Sequence, residues 1–219
     1  MTYEVRSRVE RFRGNVVSLL TDEVVMPGGR TARRDYLVHV GAVGVVAVDE
    51  ADRVVLVQQY RHPVGDRLWE LPAGLIDVDG EELVDAAARE LAEEADLTAR
   101  RWQLLLDVHT TPGCSNEVIR LFLARDLAPV PDADRFQRHD EEAELTCRRF
   151  DLDEAVAMAL RGELTNASGL VGLFAAVRLR DRGWPQLRPA TGVPLPRHPL
   201  APVAVEVAGE QVPGTPVTS

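Results

Sequence analysis

The sequence contains no lysine. All 25 of its basic residues are arginine, against 35 acidic ones, for a net charge of −10. That acidic balance argues against general nucleic-acid binding, which relies on a basic surface to neutralise phosphates. It leaves room for a small anionic substrate held by a metal and a few arginines. The missing lysine itself reads as codon-usage bias before it reads as function. Cysteine is scarce too: Cys114 and Cys147 fit no metal spacing and no disulfide framework. No apolar run reaches the roughly 18 residues a transmembrane helix needs, so no membrane partner is expected. The opening residues, MTYEVRSRVERFRG, lack an apolar signal core, and a cytoplasmic protein is the expectation. No internal repeat is visible.

What remains is a chain of 219 residues, long enough for one large domain or two small ones, with an ordinary apolar fraction of 45%. The first half reads as β structure. NVVSLLTDEVVMPGG and YLVHV have strand character, with PGG as a turn. VVAVDEADRVVLVQQYR holds two apolar runs around residues 49–52 and predicts a hairpin. WELPAGLID reads as a short strand entering a loop, and residues 81–95 as a helix. WQLLLDVHT and VIRLFLARDL return to strand, separated by TPGCSNE. After a polar stretch, Asp151 is a plausible N-cap and Gly162 a plausible stop for a second helix, and Asn166–Arg182 predicts a third. From Trp184 on, eight prolines fall within 36 residues, which reads as an extended, loosely held tail. Strands on both sides of one central helix, with more helix at the end, point to a mixed α+β sandwich.

The central helix carries the chemical signal. On a helical wheel, Val84, Ala87, Ala88, Leu91 and Ala95 form one apolar stripe, while Glu90, Glu93 and Glu94 gather on another face. A solubilising face would normally place a basic partner one turn along, and these acids have none; like charges at that spacing weaken a helix. Clustered carboxylates become favourable around a divalent cation, and hard oxygen ligands suit Mg²⁺ or Mn²⁺.

The run GLIDVDGEELVDAAARELAEEADL, from Gly74, resembles the Nudix box. Glu81, Arg89-Glu90, Glu93-Glu94 and Leu97 fall at the motif's fixed positions. Two departures stand out: six residues rather than five separate Gly74 from Glu81, and Asp96 stands where the motif has glycine. The first lies in a loop, where length is cheap to change. Asp tolerates the left-handed helix end better than most residues, so intact ligands are expected. Outside the box, QQYRHPVGDRLWELPAGLID and TPGCSNE narrow the resemblance to the ADP-ribose pyrophosphatase subgroup; Pro112 stands fifteen residues after Leu97, as in that subgroup.

The resemblance implies a Nudix α/β/α sandwich with a mixed sheet at 41–182, preceded by an antiparallel β region at 1–40 and followed by the proline-rich tail at 183–219. It implies that Glu90, Glu94, Glu93 and the carbonyl of Ala73 hold two or more Mg²⁺ or Mn²⁺ ions, with Glu81 supporting and Arg89 orienting the glutamates. Arg61 would bind substrate, Leu75 would lie beside the diphosphate, Glu117 would hold the terminal ribose, and Arg34 would reach substrate from the N-terminal strands, across a dimer. An acid from the segment RHDEEAEL would serve as base or further ligand: Glu142 first, Glu141 second, with His139 a loop residue. The implied reaction is metal-dependent hydrolysis of ADP-ribose to AMP and ribose 5-phosphate by a homodimer. Other nucleoside diphosphate sugars are alternative substrates, and a catalytically inactive ADP-ribose-binding regulator is the alternative outside enzymes.

Overall fold

The computed structural model of the chain describes residues 3–138, 144–196 and 205–207, which divide into two compact units. The first comprises 3–40, 111–117 and 205–207. Its strands β1 (Val5–Arg13), β2 (Val17–Val25) and β3 (Thr31–His39) pair antiparallel. The last described strand, Val205–Val207, lies parallel to β1. The β2–β3 turn closes with Met26 N–H donating to Arg30 O at 2.8 Å, and Gly28 and Gly29 adopt φ of 90° and 82°, which glycine reaches without steric cost. Arg8 stands directly opposite Asp22 in the β1–β2 register, and both are buried. Arg8 Nε and Nη2 donate to Asp22 Oδ1 and Oδ2, both at 2.7 Å, while Tyr36 Oη donates to Oδ2 at 3.1 Å. Burial pushes the Tyr36 phenol up to about 12, and the Asp22 charge adds to the effect.

The second unit runs over 41–110 and 118–196. Four of its strands are β4 (Ala42–Ala47), β7 (Ala73–Leu75), β8 (Leu97–His109) and β9 (Val118–Pro129). With β11 (Arg188–Pro189) they form a five-stranded sheet in the order β11-β8-β9-β4-β7. β5 (Arg53–Arg61), β6 (Asp66–Glu70) and β10 (Thr146–Asp151) form a second sheet, β10-β5-β6. The β4–β9 pair is parallel and its neighbours antiparallel, so the sheet is mixed. Side chains alternate across it. Val43, Val45, Ala47, Phe122 and Ala124 pack with Ala86, Ala87, Leu91 and Ala95 of helix α1 (Leu83–Ala95). Val46, Val48, Leu121 and Leu123 pack instead with α2 (Leu152–Leu160) and α3 (Ala167–Arg180). One helix on one side and two on the other make the expected layered α+β arrangement. Both later helices are capped by side chains: Asp151, the N-cap the sequence predicts, accepts from Asp153 N–H, and Asn166, read from the sequence as the first residue of the third helix, caps it by accepting from Gly169 N–H, each at 2.9 Å. No helix among the described residues is long and apolar enough to cross a membrane.

Three expectations are corrected. The two runs around residues 49–52 do turn there, where Asp49 Oδ1 accepts from Ala51 and Arg53 N–H, but they are not a hairpin. Only Val48 and Val54 bridge, and β4 and β5 then enter different sheets. Both runs are continuously apolar because each is buried on two faces, a pattern that does not identify the pairing partner. The apolar stripe of α1 includes Ala86 rather than Ala88, and the helix buries Glu94 as well. Finally, the chain beyond Trp184 is held as far as Pro194. β11 pairs with β8, and the buried Arg120 donates to Val193 O at 2.5 Å and Pro194 O at 2.9 Å, besides its fork on Asp107.

Candidate active site

Within the second unit, strand β7 and helix α1 meet at Gly74. A β-carbon on this residue would stand 2.1 Å from the Glu90 carboxyl carbon, so the absent side chain is the space Glu90 occupies. One residue earlier, Ala73 N–H donates to Glu94 Oε2 at 2.9 Å, which gives the buried Glu94 carboxylate a partner and explains why the helix carries an acid on its inner side. Pairing of β7 with β4, Gly44 opposite Ala73 and Val43 opposite Gly74, fixes that backbone against the core.

Arg89 gathers the remaining acids. Its Nη1 donates to Glu90 Oε1 at 2.6 Å and to Glu93 Oε2 at 3.4 Å, and its Nε and Nη2 reach Glu81, both at 3.3 Å. The hydrogen bonds to Glu81, reinforced by the Glu90 charge, hold the guanidinium well above its ordinary value. Arg89 therefore bridges Glu81, Glu90 and Glu93 and offsets their mutual repulsion.

Glu90, Glu93, Glu94 and Arg89 line a cavity of about 290 Å³ together with Ala73, Gly74, Leu75, Asp77, Gln59 and Arg61. Seven of the residues singled out from the sequence thus converge: Ala73, Leu75, Arg61, Arg89, Glu90, Glu93 and Glu94. The cavity lining does not include Arg34 or Glu117, which belong to the first unit. Arg34 is exposed on β3 and donates to Arg33 O at 2.8 Å. Glu117 places Oε1 3.6 Å from His39 Nδ1. His139, Glu141 and Glu142 lie outside the described residues.

The donor set is all oxygen, from three box glutamates lining the cavity, and it fits a hard divalent cation. Among the described residues, no three acidic, histidine or cysteine side chains form a group that would enclose an ion as they stand. Arg89 takes up Glu90 and Glu93, and Ala73 N–H takes up Glu94.

Sequence reasoning missed several contributors. Gln59 stands two residues before Arg61 on one strand, so it shares its face, a signal the strand period supplies. Asp77 had no such signal. Asp96 adopts φ 53° and ψ 37°, the left-handed helix end where the motif has glycine. Its carboxylate Oδ2 accepts from Arg138 Nη2 at 2.8 Å, and Arg138 Nε also donates to Glu93 O at 2.7 Å. An aspartate here does something glycine cannot: it fastens a distant arginine to the end of the glutamate helix.

Comparison with known proteins identifies the family. A family model described as the NUDIX domain matches residues 38–169. An ADP-ribose pyrophosphatase of Mycobacterium tuberculosis is 43% identical over 187 residues, 85% of this chain and 88% of that protein. One from Bacillus subtilis is 31% identical over 156 residues, covering 71% and 82% respectively. A solved structure titled as an ADP compounds hydrolase superposes with a TM-score of 0.70 over 84% of this chain and 97% of its own, at 22% identity, a likeness of fold. A glycine shaped to a carboxylate, an arginine gathering three acids and a family match over more than half of the sequence lead to one assignment: the chain belongs to the Nudix hydrolase family.

Proposed function

We propose that this protein hydrolyses the diphosphate bond of ADP-ribose to AMP and ribose 5-phosphate, with Mg²⁺ or Mn²⁺. The observation that carries the reading is the cavity in which Glu90, Glu93 and Glu94 stand with Arg61 and Arg89. Carboxylates suit a cation, and arginine forks suit phosphate. The ADP-ribose pyrophosphatases of Mycobacterium tuberculosis and Bacillus subtilis to which it is similar support the choice of substrate.

In this reading Glu90, Glu94, Glu93 and the Ala73 carbonyl hold two or more ions. Bound divalent cations neutralise diphosphate charge and make a bound water more acidic. Arg61 binds the substrate anion, and Leu75 lies beside the diphosphate. Glu142, or Glu141 in its place, takes the proton of the attacking water. Water oxygen bonds to one phosphorus as that phosphorus releases the bridging oxygen, which leaves with the second phosphate. Arg34 and Glu117 contact substrate, Arg34 from the partner of a homodimer. A monomeric mass at micromolar concentration would remove that last role.

The deciding assay incubates the purified protein with Mg²⁺ and a panel of ADP-ribose, nucleotide sugars and nucleoside triphosphates. AMP release from ADP-ribose, abolished by a chelator, is the expected result. Faster cleavage of another nucleotide sugar would move the substrate, and no product from any of them would favour a binding regulator.

A further inference from the structure

Arg61 does not pair with the carboxylate nearest to it in the sheet. The β5–β6 register sets Arg61 opposite Asp66, Gln59 opposite Leu68 and Val57 opposite Glu70. Directly opposed residues share a face of an antiparallel pair. An ordinary surface ion pair would therefore join Arg61 to the exposed Asp66. Asp66 Oδ1 instead accepts from Arg67 N–H at 2.7 Å. Arg61 reaches four residues along β6 to Glu70, which is only 3% exposed. Nε donates to Glu70 Oε1 at 3.1 Å and Nη2 to Oε2 at 2.6 Å, a bidentate fork. Gln59 Nε2 lies 3.4 Å from the same Oε2. Arg61 and Gln59 line the cavity, whereas Glu70 does not.

A buried carboxylate is costly to desolvate and is retained where it fixes something. We propose that Glu70 is a positioning residue. By holding Nε and Nη2 it sets the plane of the Arg61 guanidinium at the cavity that takes the substrate diphosphate, with Gln59 braced on the same carboxylate. A planar fork held in place loses less freedom on meeting phosphate than a free side chain would. The inference rests on the hydrolase reading above and deepens it: Glu70 touches no substrate, yet sets the affinity for it.

Steady-state kinetics with ADP-ribose and Mg²⁺ test this. Glu70→Gln should raise KM about tenfold with kcat within about twofold, the pattern of lost ground-state binding. In an Arg61→Ala background the same substitution should change KM by less than about twofold, because the group it positions is gone. Arg61→Lys keeps the charge but not the fork, and should raise KM about as much as Glu70→Gln. Asp66→Asn, at the directly opposed position, should leave KM unchanged. A wild-type KM for Glu70→Gln would overturn the proposal, as would an equal rise in the Arg61→Ala background. Circular dichroism establishes that each variant folds. Should Glu70→Gln not fold, Glu70→Asp, which keeps the charge but shortens its reach, takes its place: a wild-type KM, or an equal rise in the Arg61→Ala background, overturns the proposal, and a raised KM lost in that background upholds it. If the wild-type protein cleaves none of the panel, the hydrolase reading fails separately. Calorimetric titration with ADP-ribose then carries the same comparison, and equal affinity of wild type and Glu70→Gln, or no binding by either, overturns the positioning role.

Discussion

Gly74 is fixed by a carboxylate and not by a turn. Any side chain there would displace Glu90, whose carboxyl carbon would lie 2.1 Å from the new β-carbon. Misplacing a reacting group by an ångström costs on the order of 100-fold in rate. Gly74→Ala should therefore lower kcat by about that factor, with circular dichroism unchanged; turnover within a few-fold of wild type would show that Glu90 tolerates the shift. Asp96 presents two opposed terms. Its left-handed conformation costs about 1 kcal/mol relative to glycine, and its partly exposed pair with Arg138 returns a similar or smaller amount. Asp96→Gly should consequently change unfolding free energy by less than about 1 kcal/mol, in the stabilising direction, whereas Asp96→Ala, which keeps the strain and loses the pair, should destabilise by up to about 1 kcal/mol. Urea unfolding midpoints measure both. The glycine, the glutamates and Arg89 were legible because the box fixes their spacing along one helix and the strand before it. Arg138 was not, since 42 residues separate it from Asp96, and no local pattern marks such a pair. Glu70 stayed hidden for a related reason: its role follows from strand register, which the sequence of either strand alone does not carry.

At the scale of elements, periodicity told much and pairing little. The 3.6-residue period placed Ala87, Leu91 and Ala95 correctly on the inner face of α1, where all three are buried. It misplaced Ala88 because Glu94 turns inward to meet Ala73 N–H, a contact set by β7 rather than by the helix. The apolar runs of β4 and β5 announced buried strands but not that each would join a different sheet. In the N-terminal sheet, the half-buried Tyr36 against the buried Arg8–Asp22 pair makes that element sensitive to alkali. Burial raises the Tyr36 phenol from its ordinary value of 10.0 to about 12. Below about pH 10 both folded and unfolded forms keep the phenol neutral, and its contribution to stability is complete. Between about pH 10 and 12 the unfolded chain ionises first, so stability falls as pH rises through this window. Absorbance titration of the three tyrosines should show one late tyrosinate, absent in Tyr36→Phe. Simultaneous ionisation of all three would contradict the burial.

For the molecule as a whole, a net charge of −10 and a cavity lined by three glutamates make divalent cations the natural ligand to probe first. A ligand that binds only the folded state at about 100 times its Kd adds about 2.7 kcal/mol of stability. Mg²⁺ should therefore raise the melting temperature of the wild-type protein. Glu90→Gln and Glu94→Gln should lose both that rise and turnover while remaining folded; a variant that kept either one would remove that glutamate from the ligand set.

The C-terminal stretch bears on how the protein is made. Arg120 is 1% exposed, and two of its acceptors, the carbonyls of Val193 and Pro194, arrive 73 and 74 residues later in the chain. Ribosomes add about 5–20 residues per second, so for several seconds β9 exists with this guanidinium only partly satisfied. Leaving a buried cationic donor without an acceptor is costly. Completion of this contact therefore waits on synthesis of what reads from the sequence as a loosely held tail, and a chain released before residue 193 should reach chaperones and proteases with the Arg120 guanidinium short of two acceptors.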